Sequence, residues 1–160
     1  GDHLFLHSFP TRRSSDLYKT NVGIQFRHQL GKDVHAPGFY LHVAPDECFL
    51  GAGSWHPESD LLGRIRDLIA AQPARWRAAR DDRDFAAHFQ LVGDTLMRPP
   101  RGFAADHPEI GDLKRKDFIA LCGLTRKEVT GARLGDLSAE RFTAAVPFMR
   151  FLCEAAGVRY

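Results

Sequence analysis

The chain predicts an α+β fold, an antiparallel sheet with helices packed mainly on one face, in a single domain. Three observations predict it. Apolar residues alternate in the first third, at Val22, Ile24 and Phe26 and again at Phe39, Leu41 and Val43, the period of half-buried strands. From Leu61 onward they recur three and four apart, the period of amphipathic helices. Strand patterns cluster early and helix patterns late, an order that favours segregated helices over βαβ units.

Residues 18–30 read as the first strand, and Gly31-Lys32-Asp33 as a turn. The second strand carries Phe39, Leu41 and Val43 on one face and Tyr40 and His42 on the other. Pro45-Asp46 suits a type I turn, because proline presets φ at its first central position. Residues 48–55 return as the third strand, where Gly51 and Gly53 leave one face without side chains and so invite a close approach. Pro57, Glu58 and Asp60 open a helix whose stripe is Leu61, Leu62, Ile65, Leu68 and Ile69, and Pro73 ends it. Trp76 sits on a second short helix among Arg75, Arg77 and Arg80. Phe85 and Phe89 predict one more helical turn, and residues 90–97 a further strand.

Pro99-Pro100-Arg101-Gly102 is a rigid loop. Asp106 is the expected N-cap of a helix running to about Lys116, with Pro108 and Glu109 in its first turn. Residues 118–124 read as a buried strand. Ser138 is expected to cap a final helix with Phe142, Ala145, Val146, Met149, Leu152 and Cys153 as its stripe. Pro147 should kink that helix and Gly157 should stop it.

Residues 1–17 stand apart. From His7 to Leu17 they resemble the translation of a common sequencing adapter. A secretory signal would place basic residues before its apolar run, whereas Arg12 and Arg13 follow it; Asp2 and Asp16 argue against a transit peptide. The segment is therefore expected to be non-native, leaving residues 18–160 as one domain, incomplete at its N-terminus. Its sheet is expected to have an edge or face left uncovered.

Hydrophobic residues make up 44% of the chain, enough for a core, and no apolar run approaches a membrane span. The formal charge of +2, with acids interspersed, is too weak for a nucleic-acid footprint, so no membrane partner is expected and a nucleic-acid partner is disfavoured. Cys48, Cys122 and Cys153 are odd in number and widely spaced. They form neither a disulfide framework nor a zinc pattern, and they fit a reducing cytoplasm.

Several motifs then recur in one order: Tyr18-Lys19-Thr20; His35-Ala-Pro-Gly-Phe-Tyr-Leu-His42; Gly51-Ala-Gly-Ser-Trp55 with Pro57; Pro100-Arg-Gly-Phe103 with Asp106-His-Pro108; and Leu113-Lys-Arg-Lys-Asp-Phe118. In these the chain resembles the bacterial family known as domain of unknown function 2461. The resemblance covers essentially all of residues 18–160. It implies a helical region before Tyr18 in full-length members, with a Trp-Phe pair and an arginine-rich strand, both lacking here. It carries no assigned activity and supplies no catalytic residue.

Candidate chemistry therefore rests on the side chains. A regular ladder about Pro45-Asp46 lays His35 beside His56, within one residue, at the open end of the hairpin, with His42 further along. Two or three such imidazoles with Glu58 could ligate a metal, but no HExxH or facial-triad pattern is present and no metal is expected. The other role for these histidines is to cap the sheet edge and bond to backbone. Lys114, Arg115 and Lys116, with Arg98 and Arg101, could hold a phosphate or carboxylate, or could simply complement a helix C-terminus. Tyr40, His42 and Trp55 beside the glycines could floor a shallow pocket, or could pack under the helix that starts at Glu58 or under the missing N-terminal region.

Cys48, after an acidic turn, is a poor nucleophile candidate. Ser54 lacks a GxSxG elbow, and without a P-loop or GxGxxG no cofactor is expected. The reading is an uncharacterised cytoplasmic protein binding a small anionic ligand through His35, Tyr40, His42, Trp55 and His56, with Arg101, Lys114 or Arg115 as anion holders. The alternative is a structural or protein-interaction domain without chemistry. A weaker third is nucleic-acid contact through the arginines of residues 64–83 and Lys114 to Lys116.

Overall fold

The computed structural model describes residues 20–27 and 37–160. They form a five-stranded antiparallel sheet: β1 (Val22–Arg27), β2 (Gly38–Val43), β3 (Cys48–Ser54), β4 (Gln90–Val92) and β5 (Phe118–Gly123), in the order β1-β2-β3-β5-β4. The register pairs Gly38 with Gly53 and Val43 with Cys48, so the β2–β3 hairpin is regular about Pro45-Asp46 as expected. Its turn is closed by the Ala44 N–H donating to the Glu47 carbonyl at 2.9 Å. His35, the Gly31-Lys32-Asp33 turn and the adapter-like segment lie outside the described residues.

Alternation along each strand decides the two faces of the sheet. Leu41, Leu50, Ala52, Phe118, Ala120 and Cys122 belong to the buried core, with Phe39, Val43 and Leu91 packed against it. The helices cover this face: α1 (Ser59–Ala71), α2 (Pro73–Arg80), α3 (Arg83–His88), α4 (Ile110–Leu113), α5 (Arg126–Thr130), α6 (Leu134–Ala144) and α7 (Val146–Ala156). Helix α7 is the hub, contacting β3, α1 and α2. Trp76, fully buried, meets Phe151 at 5.2 Å and Phe118 edge-on at 5.8 Å between ring centroids. Tyr40, His42, Phe49, Gly51, Gly53, Ile119 and Leu121 occupy the opposite face by the same alternation. Tyr40 and His42 therefore do not pack under α1. No helix among the described residues is long and apolar enough to cross a membrane.

Some elements differ from expectation for identifiable reasons. Fourth-strand pairing breaks at Gly93, whose φ is +105°, and resumes only as a Thr95–Arg115 bridge. The helix expected from Asp106 shrinks to four residues, because the chain around His107 closes turns instead and residues 115–116 pair with the fourth-strand segment. Lys116 thus lies beside a strand extension, its N–H donating to the Asp94 carbonyl, and complements no helix end. Ser138 is an interior residue of α6, not a cap, and the expected kink at Pro147 is a full break between α6 and α7. Helix α5, with its Thr125–Glu128 capping box, was unexpected. Gly157 ends α7 at φ +72°, as its sequence position implies.

Strand β1 extends beyond the helical layer. Val22, Ile24 and Phe26 sit on its helical face yet are 60%, 45% and 48% exposed. Phe142 of α6 reaches Phe26 edge-on at 5.7 Å.

Candidate functional site

The sheet ends in a group of residues drawn from three strands. Ser54 of β3 pairs with Phe118 of β5, so Trp55 and His56 leave the sheet where Asp117 enters it. Asp117 is almost fully buried. Its Oδ1 accepts the His56 backbone N–H at 2.7 Å and lies 3.1 Å from His56 Nδ1. The imidazole itself is 61% exposed, and the Trp55 ring lies 4.2 Å from it.

Local geometry is bent to make this contact. His56 has φ +47°, a left-handed conformation that costs a non-glycine residue about 1–2 kcal/mol. Pro57 next to it favours extended backbone at His56, so the sequence alone does not ask for this turn. The hydrogen bond from the His56 backbone N–H to the buried carboxylate offsets the cost. Gly93 leaves room for that carboxylate: a Cβ there would come within 2.8 Å of Asp117 Cβ and 3.1 Å of its Oδ2. Gly53, at φ +127°, supplies the close approach expected of the third strand, since a Cβ there would run into the Phe118 carbonyl. At Gly51 the neighbours stand at ordinary distances.

The other sequence-derived candidates fall into separate places. The Tyr40 hydroxyl is 3.1 Å from His42 Nδ1, and His42 stacks on Phe49 with centroids 4.8 Å apart. Burial pushes the Tyr40 phenol pKa up. This cluster lies on the outer sheet face towards β1, where a Cβ at Gly23 would strike the Tyr40 hydroxyl. Arg101 is exposed and Lys114 half-buried, neither in an ion pair among the described residues.

Arg115 is committed elsewhere: its Nε donates to Asp112 at 2.7 Å, and its carbonyl accepts from Arg66. Asp112 also accepts from Trp76 Nε1 at 2.7 Å and from Arg80 at 2.6 Å, while Arg80 reaches Glu109 at 3.1 Å. Burial alone would raise the Asp112 carboxyl; the hydrogen bonds from Arg115, Trp76 and Arg80 outweigh it and leave its pKa below the ordinary value. This network fixes α4 against α1 and α2, and so fixes the segment that delivers Asp117.

His56 and Trp55 were singled out from the sequence; Asp117 as the neighbour of His56 was not, nor was the network through Asp112 and Glu109. The partner lies 61 residues away from His56. The available signal was strand pairing: residues 48–55 against residues 118–124, antiparallel, put Asp117 beside His56. Among the described residues no group of three or more histidine, cysteine or acidic side chains could hold a metal ion.

No curated protein and no solved structure matches the chain. A family model does, over residues 10–151. The chain therefore belongs to the family described as conserved hypothetical protein (DUF2461).

Proposed function

We propose that the chain binds a small anionic ligand at the open end of the β2–β3 hairpin, with His56 as the group that recognises it. The carrying observation is the His56–Asp117 pair: a solvent-facing imidazole whose other nitrogen lies against a buried carboxylate. Such a pairing fixes ring orientation and turns the second nitrogen towards solvent, where it can meet an acidic ligand group. Trp55 offers an apolar edge beside it, and Lys114 and Lys116 lie on the segment that carries Asp117. Tyr40 and His42 would contact a ligand only if it extended along the outer sheet face; Arg115, held by Asp112, would not. Three free thiols support a reducing compartment, the bacterial cytoplasm.

The test is a titration of the ¹⁵N-labelled chain with inorganic phosphate, following the histidine rings by NMR. Saturable movement of the His56 signals supports the reading. Equal movement of all histidines, or none, overturns it.

A second reading, a protein-interaction domain, is favoured by the exposed apolar row Val22, Ile24 and Phe26 on β1. Under that reading Ile24→Lys abolishes association with the partner and leaves the His56 signals unchanged by phosphate.

A further inference from the structure

We propose that His56 is also a nucleophile, accepting a phosphoryl group on Nε2 from a small acyl phosphate; this rests on the anion-binding reading of the same site. A neutral imidazole has one N–H and one lone pair, and the partner at one nitrogen decides which is which. Asp117 Oδ1, 3.1 Å from Nδ1, can only accept there; that neighbour favours the proton on Nδ1 and leaves the lone pair of Nε2 towards solvent.

Two of the other described histidines are arranged the opposite way. His107 Nδ1 accepts the Glu109 N–H at 3.0 Å, and His88 Nδ1 faces a guanidinium N–H of Arg141. In both, the proton is left on Nε2. His42 Nδ1 meets the Tyr40 hydroxyl and its ring is stacked on Phe49. Of these four, His56 alone has a carboxylate at Nδ1, and its side chain is 61% exposed.

Nucleophilic rather than general-base chemistry suits this setting. A base needs a second group to place the hydroxyl or water it deprotonates, whereas a nucleophile needs its lone pair, an orienting partner and access. The left-handed backbone at His56, held by the same Asp117 oxygen, fixes the ring at the surface. In the step, Nε2 attacks phosphorus, the P–O bond to the acyl group breaks, and the carboxylate leaves with the bonding pair. The N–P bond forms with no net proton exchange, and Nδ1 keeps its hydrogen facing Asp117, which offsets the positive charge developing on the ring. Lys114 and Lys116, without ion pairs among the described residues, supply positive charge on the adjoining segment.

The experiment is incubation of the whole chain with acetyl phosphate at mildly alkaline pH. Intact mass, ³¹P NMR and peptide mapping report where phosphoryl groups land. The expected result is one acid-labile adduct on Nε2 of His56, forming about tenfold faster than on His42, His88 or His107, the low end of what an orienting carboxylate contributes at histidine sites that hold a metal. Asp117→Asn should remove most of this advantage. Comparison within the native chain does not depend on any variant folding. An adduct spread evenly over the histidines, or none, overturns the proposal. Movement of the His56 signals with inorganic phosphate without an adduct would overturn it while leaving anion binding intact; absence of both would overturn both.

Discussion

Replacing Asp112 by asparagine tests the framework that holds the site in place. The side chain keeps its shape but loses its charge, and one of its two ends becomes a donor facing donors. Three hydrogen bonds converge on the carboxylate, from Trp76, Arg80 and Arg115, at 2.6–2.7 Å. Removing one partner of a buried charge pair costs about 3–5 kcal/mol. The low end applies, because the Arg80 and Arg115 side chains remain 27% and 20% exposed and keep part of their hydration. At about 2–4 °C per kcal/mol for a chain of this size, roughly 3 kcal/mol lowers Tm by about 6–12 °C. The pH dependence has a definite sign. The folded Asp112 pKa lies below the ordinary value, so its stabilisation is complete above about pH 5, where the unfolded carboxyl is also ionised, and is lost as pH falls through the folded value. Urea melts at pH 7 and pH 3 measure this directly. Parent and variant should differ strongly at pH 7 and converge in acid. A difference under about 1 kcal/mol at pH 7, or one unchanged at pH 3, would refute the reasoning.

Other outcomes follow from the same geometry. Gly53→Ala places a Cβ against the Phe118 carbonyl at φ +127° and should cost about 3 kcal/mol, the upper range for forced backbone, read as a drop in urea midpoint. His56→Gly should leave stability within about 1 kcal/mol of the parent, since relief of the left-handed strain offsets the lost ring contact; a loss above about 3 kcal/mol would make His56 a structural residue. Burial pushes the Cys122 and Cys153 thiols up, so a thiolate-selective reagent at pH 8 should modify Cys48 first and the other two only on unfolding, counted by absorbance.

The periodic elements were legible in the sequence. Val22, Ile24 and Phe26 alternate, as do Phe39, Leu41 and Val43, Leu61 to Ile69 form a stripe, and Pro45-Asp46 set a hairpin register that the structure keeps. Residues 93–117 were not legible, because their conformation is set by contacts to distant elements. The Asp106 helix signal loses to turns around His107 and to pairing of residues 115–116 with the strand segment beyond Gly93. The long final helix fails as a unit because Pro147 coincides with the point where α7 turns to lie along β3. Within the site, His56 and Trp55 stood out by residue type, while Asp117 is one acid at the end of a basic run, with nothing local to mark it out. Its actual partner depends on which strands pair, and a charge string does not encode that. The network around Arg115 was hidden for a related reason: its partner Asp112 is three residues away, but Trp76 and Arg80, which complete the network, come from α2.

The central claim is that Asp117 directs the imidazole of His56 outward as a reactive, ligand-facing group. The most direct measurement is a long-range ¹H–¹⁵N spectrum of the histidine side chains at neutral pH, recorded for the parent and for Asp117→Asn. The account predicts that His56 carries its proton on Nδ1 in the parent, with Nε2 as the bare nitrogen that responds to phosphate, and that Asp117→Asn removes that preference. A proton on Nε2 of neutral His56 in the parent would contradict it.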